Sequence, residues 1–126
     1  MEWKLDKNRP LREQICEQIC LKIALNEFEP NGKLMSVRDA ALKMGVNPNT
    51  VQQSFEMLER EGILYSLRGS GWFVSEDVHK AKETYEGILK EKTEAYFEAM
   101  SALGLNFEDV KKYVTDYIHE RKDDTQ

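Results

Sequence analysis

The sequence predicts a mainly α protein with one small β-hairpin, divided into an N-terminal domain and a two-helix C-terminal region. Three observations carry that reading. Apolar residues recur at helical spacing in five stretches of the chain, and Gly, Pro and Asn residues punctuate the gaps between them. Two short strand-like runs flank the glycine-bearing loop Arg68-Gly69-Ser70-Gly71.

The elements follow in order. After a short extended start carrying Trp3 and Leu5, Pro10 falls where a helix can begin, because an N–H missing from the first turn costs nothing. Leu11, Ile15, Ile19 and Ile23 mark one face of this first helix, with Cys16 and Cys20 beside it, and the helix ends before Glu29-Pro30. Asn31-Gly32 makes a turn. Ser36 is then a good N-cap, with Asp39 as an acidic partner three residues on. Val37, Ala40, Ala41 and Met44 face inward from the second helix, and Gly45 is the expected left-handed residue after it. Asn47 caps a third helix with Pro48 in its first position, Val51, Phe55 and Leu58 as its inward stripe, and Gly62 to close it. Two short helices joined by so tight a turn form a helix-turn-helix. Ile63 to Leu67 and Trp72 to Ser75 complete a hairpin, so residues 10–75 have the layout of a winged helix-turn-helix.

The composition changes at Glu76. Val78, Ala81, Tyr85, Ile88, Leu89, Tyr96, Met100 and Leu103 recur at helical spacing until Leu103-Gly104-Leu105-Asn106 breaks the pattern. Phe107, Val110, Val114, Tyr117 and Ile118 mark a last helix, giving an αα-hairpin. So small a pair cannot bury its stripe alone and must pack on the first domain or on another chain. The expected division is a winged helix-turn-helix DNA-binding domain over 1–75 and a dimerisation region over 76–126. Tyr85, Leu89, Tyr96, Met100, Leu103, Val114 and Tyr117 are the expected dimer contacts. The tail Arg121-Lys122-Asp123-Asp124-Thr125-Gln126 is expected to fray.

Bulk properties narrow the function. With 126 residues, 40% hydrophobic and 33% charged, the chain is of globular type, and no apolar run is long enough to span a membrane. The start Met-Glu-Trp-Lys-Leu-Asp-Lys has no apolar core of a secretory signal, which points to the cytoplasm. The net charge of −5 is unevenly spread: residues 1–75 hold ten basic and ten acidic side chains, residues 76–126 eight and thirteen. Electrostatics therefore permit nucleic-acid binding by the first part only. No nucleophile–base constellation, phosphate loop or metal pattern is present, and two histidines leave little acid–base capacity, so neither an enzyme nor a cofactor or metal is expected. Cys16 and Cys20, four apart on one helix, read as packed free thiols, with a redox or metal sensor as the alternative. The Tyr85, Tyr96, Tyr113 and Tyr117 set reads as core and dimer packing before a ligand box.

Four segments carry a family resemblance: Gly-Lys-Leu-Met-Ser-Val-Arg-Asp-Ala-Ala from Gly32, Gly-Val-Asn-Pro-Asn-Thr-Val from Gly45, Leu-Glu-Arg-Glu-Gly-Ile-Leu from Leu58, and Arg-Gly-Ser-Gly-Trp-Phe-Val from Arg68. Together they resemble the DNA-binding domain of the GntR family of bacterial transcription regulators, and Pro10 to Ile15 resembles the start of that family's first helix. The match spans residues 8–75, and the Asn-Pro-Asn-Thr-Val variant with its short tail resembles the YtrA-type branch, whose C-terminal region serves dimerisation. Three places depart from the family pattern. Met35 stands where Leu-Pro-Ser is usual, although Ser36 still caps. Trp72 replaces a threonine at the wing base, where it either packs on the C-terminal helices or alters how the wing sits on DNA. Pro48 and Gln52 occupy positions that are basic in some members, which shifts base readout toward amides.

The resemblance implies DNA as the partner of Arg38, a cation placed unfavourably at a helix N-terminus; the alternative is an ion pair with Asp39 or Glu56. Asn47, Asn49, Thr50, Gln52 and Gln53 begin and face outward from the recognition helix, whose N-terminal residues reach base edges in helix-turn-helix proteins. Amides suit adenine, and a threonine methyl suits thymine. Capping alone is the other reading of Asn47. Arg68-Gly69 forms the wing tip, where an arginine suits a narrow minor groove; a solvated hairpin turn is the alternative. The reading is a sequence-specific transcription regulator, a repressor, that binds an inverted-repeat operator as a homodimer. Its rivals are a winged-helix protein-interaction module that binds no DNA and a thiol-responsive regulator acting through Cys16 and Cys20. No residue encodes the identity of an effector.

Overall fold

Short helices are marginal in water by themselves, so caps and tertiary packing must hold them. The computed structural model describes residues 2–124, which form α1 (Leu11–Ala24), α2 (Val37–Met44), α3 (Pro48–Arg60), β1 (Leu64–Leu67), β2 (Gly71–Val74), α4 (His79–Ala102) and α5 (Phe107–Asp124). The protein is mainly helical with one antiparallel hairpin. Its first compact unit ends at Gly87 and its second begins at Ile88, so α4 contributes its first turns to one unit and the remainder to the other.

In the first unit α1 is the central helix. Ile15, Ile19 and Ile23 are fully buried, and α1 packs on α3 through Val51, Phe55 and Leu58. Burying each such side chain is worth roughly 1.5–3 kcal/mol. α1 also buries two polar residues, Gln14 and Lys22, which are only 6% and 4% exposed. They belong to a row spaced four apart, Gln14, Gln18 and Lys22, whose side chains all bond the backbone of the N-terminal arm. The Gln14 amide accepts from Asp6 N at 2.8 Å and donates to the carbonyls of Asp6, Arg9 and Pro10. Gln18 donates to Lys4 O, and Lys22 donates to Glu2 O while its ammonium lies 4.7 Å from the Trp3 ring centroid and 3.7 Å from Glu27. Burial of these groups is tolerable because each is partnered. The extended start is thus a fixed strap, with Trp3 and Leu5 packed on the core.

The caps form where the sequence puts them. Ser36 Oγ accepts from Asp39 N at 3.1 Å at the start of α2, and Gly45 ends that helix in the left-handed region at φ 69°. Asn47 Oδ1 accepts from Asn49 N at 2.8 Å, with Pro48 first in α3. Ala40 and Ala41 are buried, and these small side chains let α2 lie close against α3. In the hairpin Leu64 pairs with Val74 and Leu67 with Gly71. Lys33 bridges to Phe73 on the free side of β2, where Leu34 N donates to Trp72 O and Val74 N to Gly32 O. The wing is therefore tied on both sides of β2. At the start of α4, Ala81 is buried and Val78 packs against the same core.

The second unit holds the rest of α4 and α5. Gly104 lies in the loop between them, and Asn106 and Asp109 bond each other's backbone N–H groups in a reciprocal cap that starts α5. Phe97 and Phe107 meet at 5.5 Å across the hairpin, and among the described residues of this unit only Val110 is buried. α5 continues as helix through Asp124, which covers most of the stretch expected to fray; Thr125 and Gln126 lie outside the described residues.

Candidate nucleic-acid interface

The outward side of α3 is built by elimination. Val51, Ser54, Phe55 and Leu58 turn inward, which leaves Asn49 and Gln53 exposed and Thr50 and Gln52 half-buried. The first turn of α3 holds no acidic residue, so the partial positive charge at that end is uncompensated within the helix. Asn47 is exposed, and its carbonyl oxygen is engaged as the cap, as the capping reading requires; its amide nitrogen remains a donor. The side chains of Asn49, Thr50 and Gln53 make no hydrogen bond among the described residues, whereas Gln52 Nε2 donates to Glu56 Oε2 at 3.2 Å. Gln52 is thus partly committed to its own helix.

Arg38 is exposed in the first turn of α2. The ion pairs anticipated for it with Asp39 or Glu56 do not form among the described residues. Arg68 and Gly69 sit in the three-residue loop between β1 and β2, both exposed, with Gly69 at φ 81° in the region that favours glycine. Arg68 likewise has no carboxylate partner among the described residues. Two arginines near the start of the chain do pair, Arg9 with Asp6 at 3.9 Å and Arg12 with Glu13 at 3.7 Å, whereas Arg60 at the end of α3 has no carboxylate partner among the described residues.

Two features position the wing. Trp72 sets its ring edge against Phe55, 5.5 Å between centroids at 71°, so it packs on α3. Glu59 of α3 accepts from both Ser66 N and Ser66 Oγ, the latter at 2.7 Å. One ring contact and two hydrogen bonds thus join α3 to the wing. Sequence reasoning missed Glu59, Ser66 and Lys7, whose Nζ donates to Gly45 O at 2.9 Å in the turn between α2 and α3. Their partners lie far along the chain or across elements, and no local pattern announces them.

The cysteines are placed against reactivity. Cys20 is buried and Cys16 half-buried. Burial, reinforced by Glu61 and Glu13, pushes the Cys16 thiol up to about 11, and burial with Cys16 and Glu61 nearby pushes Cys20 up to about 12. Such thiols are protonated and poorly nucleophilic near neutrality. Of the expected dimer contacts, Leu89, Tyr96, Leu103, Val114 and Tyr117 are exposed, and Tyr85 and Met100 half-buried. In the second unit, Tyr96, Phe97, Phe107, Val110 and Val114 line an apolar cleft of about 280 Å³. No helix among the described residues is long and apolar enough to cross a membrane.

A sequence profile described as "Bacterial regulatory proteins, gntR family" matches residues 11–74. The HTH-type transcriptional repressor YtrA of Bacillus subtilis (strain 168) is 45% identical over 71 residues, which span 54% of this chain and 52% of that protein. A GntR family transcriptional regulator from Listeria monocytogenes has a similar structure, with a TM-score of 0.79 and 35% identity over 89% of this chain and 98% of the other. The DNA-binding domain of AraR, solved in complex with operator ORX1, is similar with a TM-score of 0.52 and 26% identity over 60% of this chain and 92% of that one.

Proposed function

The chain belongs to the gntR family of bacterial regulatory proteins, which are DNA-binding transcription regulators and not enzymes, and on that premise we propose that it is a repressor acting as a homodimer on an inverted-repeat operator. The observation that carries the proposal is the state of the outward surface of the helix-turn-helix and wing. Among the described residues, Arg38 and Arg68 are exposed without carboxylate partners, and the side chains of Asn49, Thr50 and Gln53 are uncommitted. These are the donors, acceptors and methyl that reading a major groove calls for, with an arginine left over for the minor groove. The similar AraR domain is described in complex with an operator, and the similar YtrA is described as a repressor.

In this reading residues 1–75 bind DNA and residues 76–126 dimerise. The acidic tail, which carries the whole net charge of −5, is repelled by a duplex, so the neutral winged part faces it. Leu103 is 77% exposed and Tyr117 59%, on helices whose only thoroughly buried described residue in the second unit is Val110. A second copy supplies the missing cover, and a two-fold isologous interface is the commonest way to provide it. Such an axis relates the two recognition helices by symmetry, so the half-sites are inverted. The protein then works in the cytoplasm, where bacterial DNA is reached directly.

Two measurements test this. Sedimentation at micromolar concentration is expected to give about twice the 14.7 kDa chain mass. A gel shift on duplex DNA is expected to weaken steeply as salt rises, because phosphate contacts release counterions. A persistent monomer would remove the dimer and the inverted repeat together. Absence of any salt-dependent DNA binding would favour a winged-helix module whose partner is another protein.

A further inference from the structure

The N-terminal arm, described so far only as a strap, ends beside the helix-turn-helix. Lys7 Nζ is 2.9 Å from Gly45 O, the carbonyl of the left-handed residue between α2 and α3. Both residues are exposed. An ammonium has three N–H donors, and the turn carbonyl takes one. No carboxylate pairs with this ammonium among the described residues. The acid nearest in sequence, Asp6, is occupied: its Oδ1 accepts from Asn8 N at 2.9 Å and its Oδ2 lies 3.9 Å from Arg9 Nε. The arm on which Lys7 sits is immobilised by the four hydrogen bonds of buried Gln14. A long flexible side chain normally loses entropy when it is ordered. Here the turn carbonyl holds the charge in place before any ligand arrives, two residues ahead of the Asn47 cap that opens the recognition helix.

We propose that Lys7 is a phosphate-contacting residue of the DNA interface, held by the Gly45 carbonyl so that its two remaining N–H groups meet the duplex backbone at the edge of the groove that α3 enters. The inference rests on the DNA-binding reading given above. A phosphate contact positions the protein and carries no sequence information. Lys7 therefore contributes equally on specific and random DNA, unlike the amides of α3. The competing role is purely structural: a cation capping the C-terminal carbonyls of α2.

The test compares wild type with Lys7→Gln and Lys7→Arg, using fluorescence anisotropy on a duplex selected from a random pool and on a random duplex, at salt between 50 and 200 mM. Lys7→Gln keeps a donor for Gly45 O and removes the charge. Losing one phosphate contact lowers the salt slope by about 0.9 per chain, so the affinity lost between the two salt concentrations shrinks by about 3.5-fold per chain and roughly 12-fold per bound pair. Lys7→Gln is expected to show that flatter slope on both duplexes, with Tm close to wild type, and Lys7→Arg to restore it. A Lys7→Gln variant with the wild-type slope would overturn the assignment and leave DNA binding standing. Failure of the wild type itself to bind either duplex would overturn the DNA-binding reading, and this proposal with it.

Discussion

The two faces of α3 allow binding and folding to be separated by two substitutions on one helix. Asn49 is exposed, and its side chain has no partner among the described residues; its backbone N–H donates to Asn47 Oδ1. Asn49→Ala therefore leaves the fold within about 0.5 kcal/mol of wild type. If Asn49 makes a good bidentate contact to a base edge, the same change costs about 1–3 kcal/mol per half-site. A dimer on two half-sites then loses about 2–6 kcal/mol, or at least roughly 30-fold in affinity. Phe55 faces the other way, fully buried against α1 and edge-on to Trp72. Phe55→Ala is expected to cost about 3–5 kcal/mol of stability, a large part of the roughly 5–15 kcal/mol that holds a typical domain together. The assay pairs urea denaturation with anisotropy on a selected and a random duplex. Asn49→Ala is expected to lose affinity for the selected duplex only, with an unchanged denaturation midpoint. Equal losses on both duplexes would show that Asn49 touches backbone alone, and a large drop in midpoint would show that the outward face is not free.

Three further outcomes follow from the same structure. Gln14→Leu strands the arm carbonyls and Asp6 N, and it should lower stability in urea by about 1–3 kcal/mol; a change within 0.5 kcal/mol would mean that the arm is not held by this residue. The thiols of Cys16 and Cys20 are raised from 9.0 in the free state to about 11 and about 12 in the fold. The folded state therefore holds protons that the unfolded state has released, so their stabilising contribution is full below pH 9 and is lost as pH rises toward 11 and 12. A Cys16→Ser, Cys20→Ala variant should show a shallower fall of stability over that range, and an identical fall would refute the assignment. Tyr96→Glu with Val114→Glu places charge in the apolar cleft of the second unit; sedimentation should then report a 14.7 kDa chain, and a retained dimer would move the interface elsewhere.

The parts of this molecule that could be read from sequence are those governed by neighbours in the chain. The Ser36 and Asn47 caps, the left-handed Gly45 and the inward stripe of Val51, Phe55 and Leu58 depend on residues within a turn or two, and all appear in place. The rest depends on distant partners. Gln14, Gln18 and Lys22 look like an ordinary polar face of α1, yet all three bond the backbone of the arm, and Gln14 and Lys22 are buried in doing so. Their four-residue spacing was the available signal. Trp72 could be noticed as unusual, but its choice of Phe55 depends on the wing folding back onto α3. The link from Lys7 to Gly45 spans 38 residues and had no local signature at all. For the site, the outward residues of α3 and the wing tip were legible because an exposed position is what remains once the apolar stripe is assigned.

Selection of bound duplexes from a random pool tests the central claim most directly. The account predicts an inverted repeat whose half-site centres lie about one helical turn apart, roughly 34–36 Å or slightly more. It further predicts A·T pairs within each half-site, read by Asn49 and Thr50, and a narrow A·T-rich minor groove beneath Arg68. A half-site of G·C pairs alone would leave the symmetry intact and remove Asn49 and Thr50 as base readers. A direct repeat, a single asymmetric site, or a pool with no enrichment would contradict the account itself.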